Sequence, residues 1–139
     1  MTLWHRIRSW WRRPAHLRWG DRGEQAAKRF LKKSGLRFLT ANFRTKRGEI
    51  DLIFRDADVL VFVEVKTRSS EEWTRPAAAV NREKRRKIVL TALAYLRKIN
   101  NPRVKLRFDI VEVLHEEGAI REVRHLPNSF HFMPPYRYG

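Results

Sequence analysis

The sequence predicts an α/β domain built on one mixed β-sheet flanked by helices, and three observations carry that prediction. The stretch "GEIDLIFRDADVLVFVEVKTR", residues 48–68, reads as two strands joined by a turn. Two segments with apolar residues at helical spacing bracket the strand-like runs. The resulting order is helix, three strands, helix, two strands, which suits a single layered domain.

The first helix is expected over "GDRGEQAAKRFLKKSG", with Asp21 as N-cap, Glu24 completing an aspartate form of the capping box, and Gly35 as the stop. "LRFLTANFRT" follows as a strand, and then the hairpin around "RDAD". "RPAAAVNREKRRKIVLTALAYLRKI" predicts a long helix opening near Pro76 and stopping before Asn101 and Pro102. "VKLRFDIVEVL" and "AIREVRHL" are the last two strands, on either side of a turn at Gly118. An arm over residues 1–19, a domain over 20–126 and an irregular tail over 127–139 complete the expected organisation.

Composition narrows the chemistry. With no cysteine, disulfides, thiol catalysis and thiolate zinc sites are excluded, which fits a reducing cytoplasm. Lys and Arg number 31 against 15 Asp and Glu, a formal charge of +16, and such a field attracts polyanions, nucleic acid above all. No stretch reaches the roughly 20 apolar residues of a membrane span, and the basic N-terminus lacks the apolar core of a secretory signal, so neither span nor export is expected. The arm nevertheless carries four Trp and five Arg without an acid in its first 20 residues. Trp4, Ile7 and Trp11 can share one face of a short helix before Pro14 breaks it. Contact with a membrane surface, contact with nucleic-acid backbone, and a loose terminus with no specific task all stay open for it.

Charged residues stand where a half-buried strand should be apolar. Strand alternation puts Leu60, Phe62, Glu64, Lys66 and Arg68 on one face and Val59, Val61, Val63 and Val65 on the other. If Ala57 and Asp58 form a two-residue turn, Asp56 pairs with Val59, and the register carried down the hairpin sets Asp51 opposite Glu64. Facing carboxylates repel unless a proton or a cation lies between them. An all-oxygen site without Cys or a His cluster suits Mg²⁺ or Mn²⁺ rather than Zn²⁺. Glu24 belongs to the apolar stripe of Ala27 and Leu31, so it either reaches this site or merely closes the helix cap. Lys84 leads the stripe of Ile88, Ala92, Tyr95 and Ile99, and either overhangs the cleft or snorkels to solvent. Arg47, Arg68 and the "REKRRK" run, with Lys84 and Arg85, are candidates for holding a nucleic-acid backbone, the alternative for the run being a solvated helix face.

"GEIDLI" and "VFVEVKTR", preceded by "GDRGEQAA" and followed by "AVNREKRRKI" and "RFDIV", resemble the YraN-like bacterial proteins over residues 20–115. These are grouped with the restriction-endonuclease-like, or PD-(D/E)xK, nucleases. The resemblance implies a core of helix, three antiparallel strands, helix and strand. It implies Asp51 and Glu64 as metal ligands together with the Val65 carbonyl, Lys66 as catalytic lysine, and Glu24 as the helix carboxylate of the Holliday-junction-resolvase-like branches. The function it implies is a Mg²⁺-dependent endonuclease acting on DNA in preference to RNA, with branched DNA as a candidate substrate and a homodimer as the state of junction-specific relatives. A nucleic-acid-binding module without catalysis on the same fold is the alternative. This chain departs from the pattern at Trp73-Thr74, where relatives often carry an aromatic-Gly pair.

Overall fold

A computed structural model describes residues 15–69 and 81–132. The elements run α1 (Ala15–Lys33), β1 (Arg37–Thr45), β2 (Gly48–Asp56), β3 (Val59–Ser69), α2 (Arg82–Lys98), β4 (Lys105–Glu116) and β5 (Ala119–Phe130). The five strands form one sheet in chain order; β3 and β4 are parallel and the other neighbours antiparallel. The element order is the one read from the sequence, and the architecture is consistent with a restriction-endonuclease-like fold.

Each helix covers one face of the sheet. On the α1 side Ala27 and Leu31 pack with Leu52, Phe54, Val61, Val63, Val111 and Val113. On the α2 side Ile88, Val89, Ala92 and Leu96 pack with Phe62, Phe108, Ile110 and Phe130. The two sets divide β3 by alternate residues, as period-2 strand geometry requires. Phe62, Phe108 and Phe130 stack in a row across β3, β4 and β5 at 5.4 and 5.0 Å, and Tyr95 meets Phe62 edge-on at 6.0 Å. Offset aromatic contacts of this kind add about 0.5–1.5 kcal/mol beyond the area they bury.

The hairpin register follows the turn. Ala57 takes the left-handed conformation at φ 52°, Asp56 pairs with Val59, and the ladder continues to Leu52 opposite Val63. Alternation fails one row further on. Phe43 and Ile50 pack on the α2 side, whereas Ala41 and Leu52, two residues along their strands, pack on the α1 side. Asn42, at φ 53°, lies where β1 changes face, and Asp51 lies where β2 does. Asn is among the few side chains that tolerate this backbone region.

Three expected boundaries are corrected. Helix α1 begins at Ala15, so Asp21 and Glu24 lie inside it and form no capping box. A proline such as Pro14 just ahead of a helix need not break it, because the N–H it lacks has no partner in a first turn. Helix α2 opens at Arg82 rather than near Pro76: Asn81 is extended, and its Oδ1 accepts the Lys84 N–H at 2.9 Å, a stronger start signal than an upstream proline. Strand β5 continues to Phe130, which is buried in the core, so residues 127–130 belong to the sheet rather than to an irregular tail. Of the Trp/Arg arm expected over residues 1–19, residues 15–19 belong to α1, while residues 1–14 and the Trp73-Thr74 loop lie outside the described residues. No helix among the described residues is long and apolar enough to cross a membrane.

The stop of α1 matches expectation. The Leu36 N–H reaches the Leu31 carbonyl at 3.1 Å and the Gly35 N–H reaches that of Lys32 at 3.1 Å, with Gly35 at φ 97°. This is a Schellman closure, and it needs a residue free of Cβ strain at that point. Gly23 does different work. A Cβ there would lie 1.9 Å from Thr67 Oγ1, so its absence lets α1 press directly onto β3. Gly23→Ala should therefore destabilise the fold by about 1–3 kcal/mol, the overpacking cost outweighing the better helix propensity of Ala. Chemical denaturation of the two proteins checks this, and an alanine variant as stable as wild type contradicts the contact.

Candidate active site

The site forms where β2 and β3 part. Below the Leu52–Val63 pair the ladder ends, and the Asp51 carboxylate takes over: Oδ2 accepts the Val65 N–H at 2.7 Å. Asp51 is thereby fixed to the main chain of the segment that carries Glu64 and Lys66. Its carboxyl also lies close enough to that of Glu64 to feel its charge, although the two residues are not paired in the ladder, which ends at Leu52 and Val63. Burial, then the charge of Glu64, pushes the Asp51 carboxyl up to about 8, the Val65 N–H acting in the opposite direction.

Glu24 enters from α1, in the turn that Gly23 brings onto β3. Its carboxyl is pushed up to about 7 by burial and by the charges of Glu49 and Asp21, with a smaller contribution from Glu64. With its amide nitrogen assigned toward the acids, Asn42 donates to Glu49 Oε1 at 3.0 Å and to Glu24 Oε2 at 3.2 Å. Glu24 is thus neither a cap nor a free surface acid. It lies in the field of Asp51 and Glu64, at the edge of their cleft.

Glu64 is 4% exposed, and its partner comes from the opposite helix: Lys84 Nζ lies 2.5 Å from Glu64 Oε1. Burial works to lower the Lys84 pKa, but the Glu64 carboxylate outweighs it and holds the ammonium above its usual range. Lys66 behaves oppositely. Burial, and then the neighbouring Lys84, press its pKa below the ordinary value, despite the nearby Glu64 charge. Burial is the largest cause, so the nearby Glu64 carboxylate, already paired with Lys84, does not hold the Lys66 proton at its ordinary strength.

The arginines expected to hold a backbone are dispersed. Arg47 is exposed in the turn between β1 and β2, its N–H donating to Thr45 Oγ1 at 3.1 Å. Arg68 is partly buried on β3, where its charge acts on Glu112. Arg85 lays its guanidinium over the Phe130 ring at 5.6 Å, on the core rather than in the cleft. Among the described residues no three His, Asp or Glu side chains gather around one point as a ready metal cage. Mg²⁺, however, commonly takes only one or two protein carboxylates and keeps its waters, so the Asp51–Glu64 pair with main-chain oxygen nearby is a donor set that fits it.

Sequence reading missed two buried groups. Asp109, within "RFDIV", is fully buried and anchors a network in which Arg107 grips it at 2.9 and 3.0 Å, His125 Nε2 lies at 2.7 Å and the Asn128 N–H donates at 2.9 Å. Arg107 also reaches Asp56 at 2.9 Å, which ties the β2–β3 turn to β4. This network braces the β3–β4 ladder beside the site, Asp109 being paired with Val63 and the next residue, Ile110, with Glu64. Glu112 sits beside Lys66 in the β3–β4 ladder, fully buried, with neither carboxyl oxygen hydrogen-bonded. Burial raises its pKa, and Arg68 and Arg124 oppose the rise. The strand alternation places Glu112 on the face of Phe108 and Ile110, and that was the available signal.

The raised Asp51 pKa has a definite consequence for stability. A carboxyl at 3.8 in the unfolded chain and about 8 in the fold contributes stability that is complete at low pH and is lost as pH rises through about 8. In metal-free buffer Asp51→Asn should therefore gain on wild type as pH rises, by several degrees in Tm near pH 8 and by little near pH 4. Thermal unfolding across that range checks it, and a constant difference between the two proteins rules out a buried, proton-sharing Asp51.

The family described as "Uncharacterised protein family UPF0102" has a model that matches residues 23–113, a span containing Glu24, Asp51, Glu64, Lys66 and Lys84. A UPF0102 protein of Coxiella burnetii is 46% identical over 112 residues, covering 79% of this chain and 89% of that one. One from Symbiobacterium thermophilum is 43% identical over 112 residues, covering 81% and 95%. Another, from Desulfosudis oleivorans, is 42% identical over 106 residues, covering 76% and 86%. The family match runs from the Gly23 contact of α1 into β4 as far as Asp109 and Val113, and the chain belongs to the UPF0102 family.

Proposed function

We propose that this protein is a metal-dependent nuclease that hydrolyses phosphodiester bonds in DNA, with Mg²⁺ or Mn²⁺ as cofactor. The observation that carries the reading is that the Asp51 and Glu64 carboxyl groups act on each other where β2 and β3 part, Glu64 being buried, with Lys66 also in the field of Glu64. Asp51 and Glu64 would hold a divalent ion, whose chemistry would be to lower the pKa of a bound water and offset charge building on the phosphate.

Each residue then has a part. Asp51 and Glu64 hold the ion, with the Val65 carbonyl as a further oxygen. The Val65 N–H keeps Asp51 aimed into the cleft while its other oxygen stays available. Lys66, its ammonium pKa lowered by burial and by Lys84, suits orienting and deprotonating the attacking water better than a fully charged lysine does. Glu24 has a pKa of about 7, so it can give or take a proton near neutrality from the α1 side. The exposed cations Arg29, Lys32 and Lys33 on α1 and Arg82 and Lys87 on α2 add to the field that draws a phosphate backbone toward the sheet.

A second reading, a nucleic-acid-binding module without catalysis, draws support from the Lys84–Glu64 pair, which compensates Glu64 with no metal at all. The two readings separate on branched, single-stranded and duplex DNA, with RNA counterparts, in Mg²⁺, Mn²⁺ or EDTA. The nuclease reading expects Asp51→Asn and Glu64→Gln each to lower metal-dependent cleavage by roughly a hundredfold or more. Binding should hold or tighten, because each change removes negative charge from a cleft that receives phosphate. Lys66→Ala should stop cleavage and leave metal-induced thermal stabilisation intact. Wild-type protein that neither cleaves any substrate nor gains Tm from either ion would leave the binding module standing.

A further inference from the structure

Lys84 sits where helix physics disfavours it. It occupies the first turn of α2, fixed there by the Asn81 cap, and the positive end of a helix dipole repels an ammonium. What holds it is Glu64: the two side chains are 2.5 Å apart, the carboxylate almost wholly buried and the lysine 41% exposed. The pair is therefore lopsided. Glu64 cannot leave the core, whereas Lys84 has an open path to solvent along a flexible stem. Lys66, on the same strand as Glu64, stands next to the Lys84 ammonium.

We propose that Lys84 is the resident counter-cation of this cleft: it occupies Glu64 in the metal-free protein and yields the carboxylate to a divalent ion, swinging outward to where a substrate phosphate is received. The inference rests on Asp51 and Glu64 as metal ligands. It adds that metal binding is an exchange of cations rather than the filling of a bare acidic site. A buried carboxylate stripped of its partner is costly, so the lysine keeps the apo-protein folded. The same lysine weakens metal affinity by the free energy of the pair it must give up. Once released, it brings a positive charge to the cleft in the step that needs one.

The experiment uses the full chain stripped with EDTA and titrated with Mn²⁺ near neutral pH, free ion being read by electron paramagnetic resonance. Lys84→Met should bind Mn²⁺ about tenfold or more tightly than wild type, Lys84→Arg should stay close to wild type, and Glu64→Gln should lose binding. Equal or weaker binding by Lys84→Met, with metal-dependent cleavage still present in wild type, overturns this inference alone. No Mn²⁺ binding by wild type or by either Lys84 variant overturns the metal reading together with it. Wild-type protein provides a check that needs no variant: in NMR, the isotope-labelled Lys84 ammonium signal should shift or vanish on addition of Ca²⁺. A signal that stays put while Ca²⁺ demonstrably binds overturns the exchange.

Discussion

The hydrogen bond from the Val65 N–H to Asp51 Oδ2 is the contact on which the site depends. Where β2 and β3 stop pairing, each strand has main-chain groups that need partners, and an unpaired buried N–H costs about as much as a lost hydrogen bond. Asp51 supplies a side-chain oxygen in place of the absent carbonyl. The strands can then separate without an orphaned donor, and the separation leaves room for Glu64 to meet Asp51. One residue thus closes the ladder and opens the cleft. It follows that loss of function in an alanine variant would be ambiguous, because the strand end would be disturbed as well. Asparagine keeps an oxygen for the Val65 N–H and removes only the charge, which makes it the informative substitution.

The cleft gathers more buried ionisable groups than packing alone would select. Three acids, Glu24, Asp51 and Glu64, interact with one another and with Lys66 and Lys84. Apolar replacements of buried ion pairs are often as stable as the pairs, so stability is a weak reason for such a cluster. Perturbed carboxyl groups in a cleft are the usual mark of a working site. The Asp109 network makes a useful contrast. There, burial acts against the charged form, but His125, Arg107 and the Asn128 N–H together outweigh it and hold the carboxyl below its ordinary range. Asp109 is a satisfied anion and reads as bracing. Asp51 is a carboxyl whose burial and neighbouring Glu64 charge outweigh the Val65 N–H, so its charged form is disfavoured.

Much of this was legible beforehand because it rests on period and register. The alternation of Val59 through Arg68 fixed the faces of β3, and the two-residue turn at Ala57 and Asp58 carried Asp51 toward Glu64. Both follow from local geometry with little freedom. What escaped the sequence depends on contacts between distant segments. Nothing around Asp21 reveals that α1 starts six residues earlier, since an acid followed by Glu at capping spacing is equally at home inside a helix. Asn81 outranks Pro76 as a start signal only once its side chain is seen to reach the Lys84 N–H. The partner of Glu64 was not foreseen: the ion pair forms with Lys84 across the interface with α2. Helical spacing could place Lys84 over the cleft, but not say which acid it meets.

The overall field and the local environment differ, and the difference bears on the reading proposed for the site. A chain of formal charge +16 draws polyanions to its surface wherever its cations are exposed. Between β2 and β3, by contrast, Glu64 is buried and paired with Lys84, and burial together with the Glu64 charge disfavours the ionised form of Asp51. A protein that only binds nucleic acid gains nothing from carboxyl groups so placed, and two substitutions to amides would remove them. Under the nuclease proposal the same groups would be what recruits a divalent ion, and Lys84, one charge on a mobile stem, would be the cation that such an ion replaces.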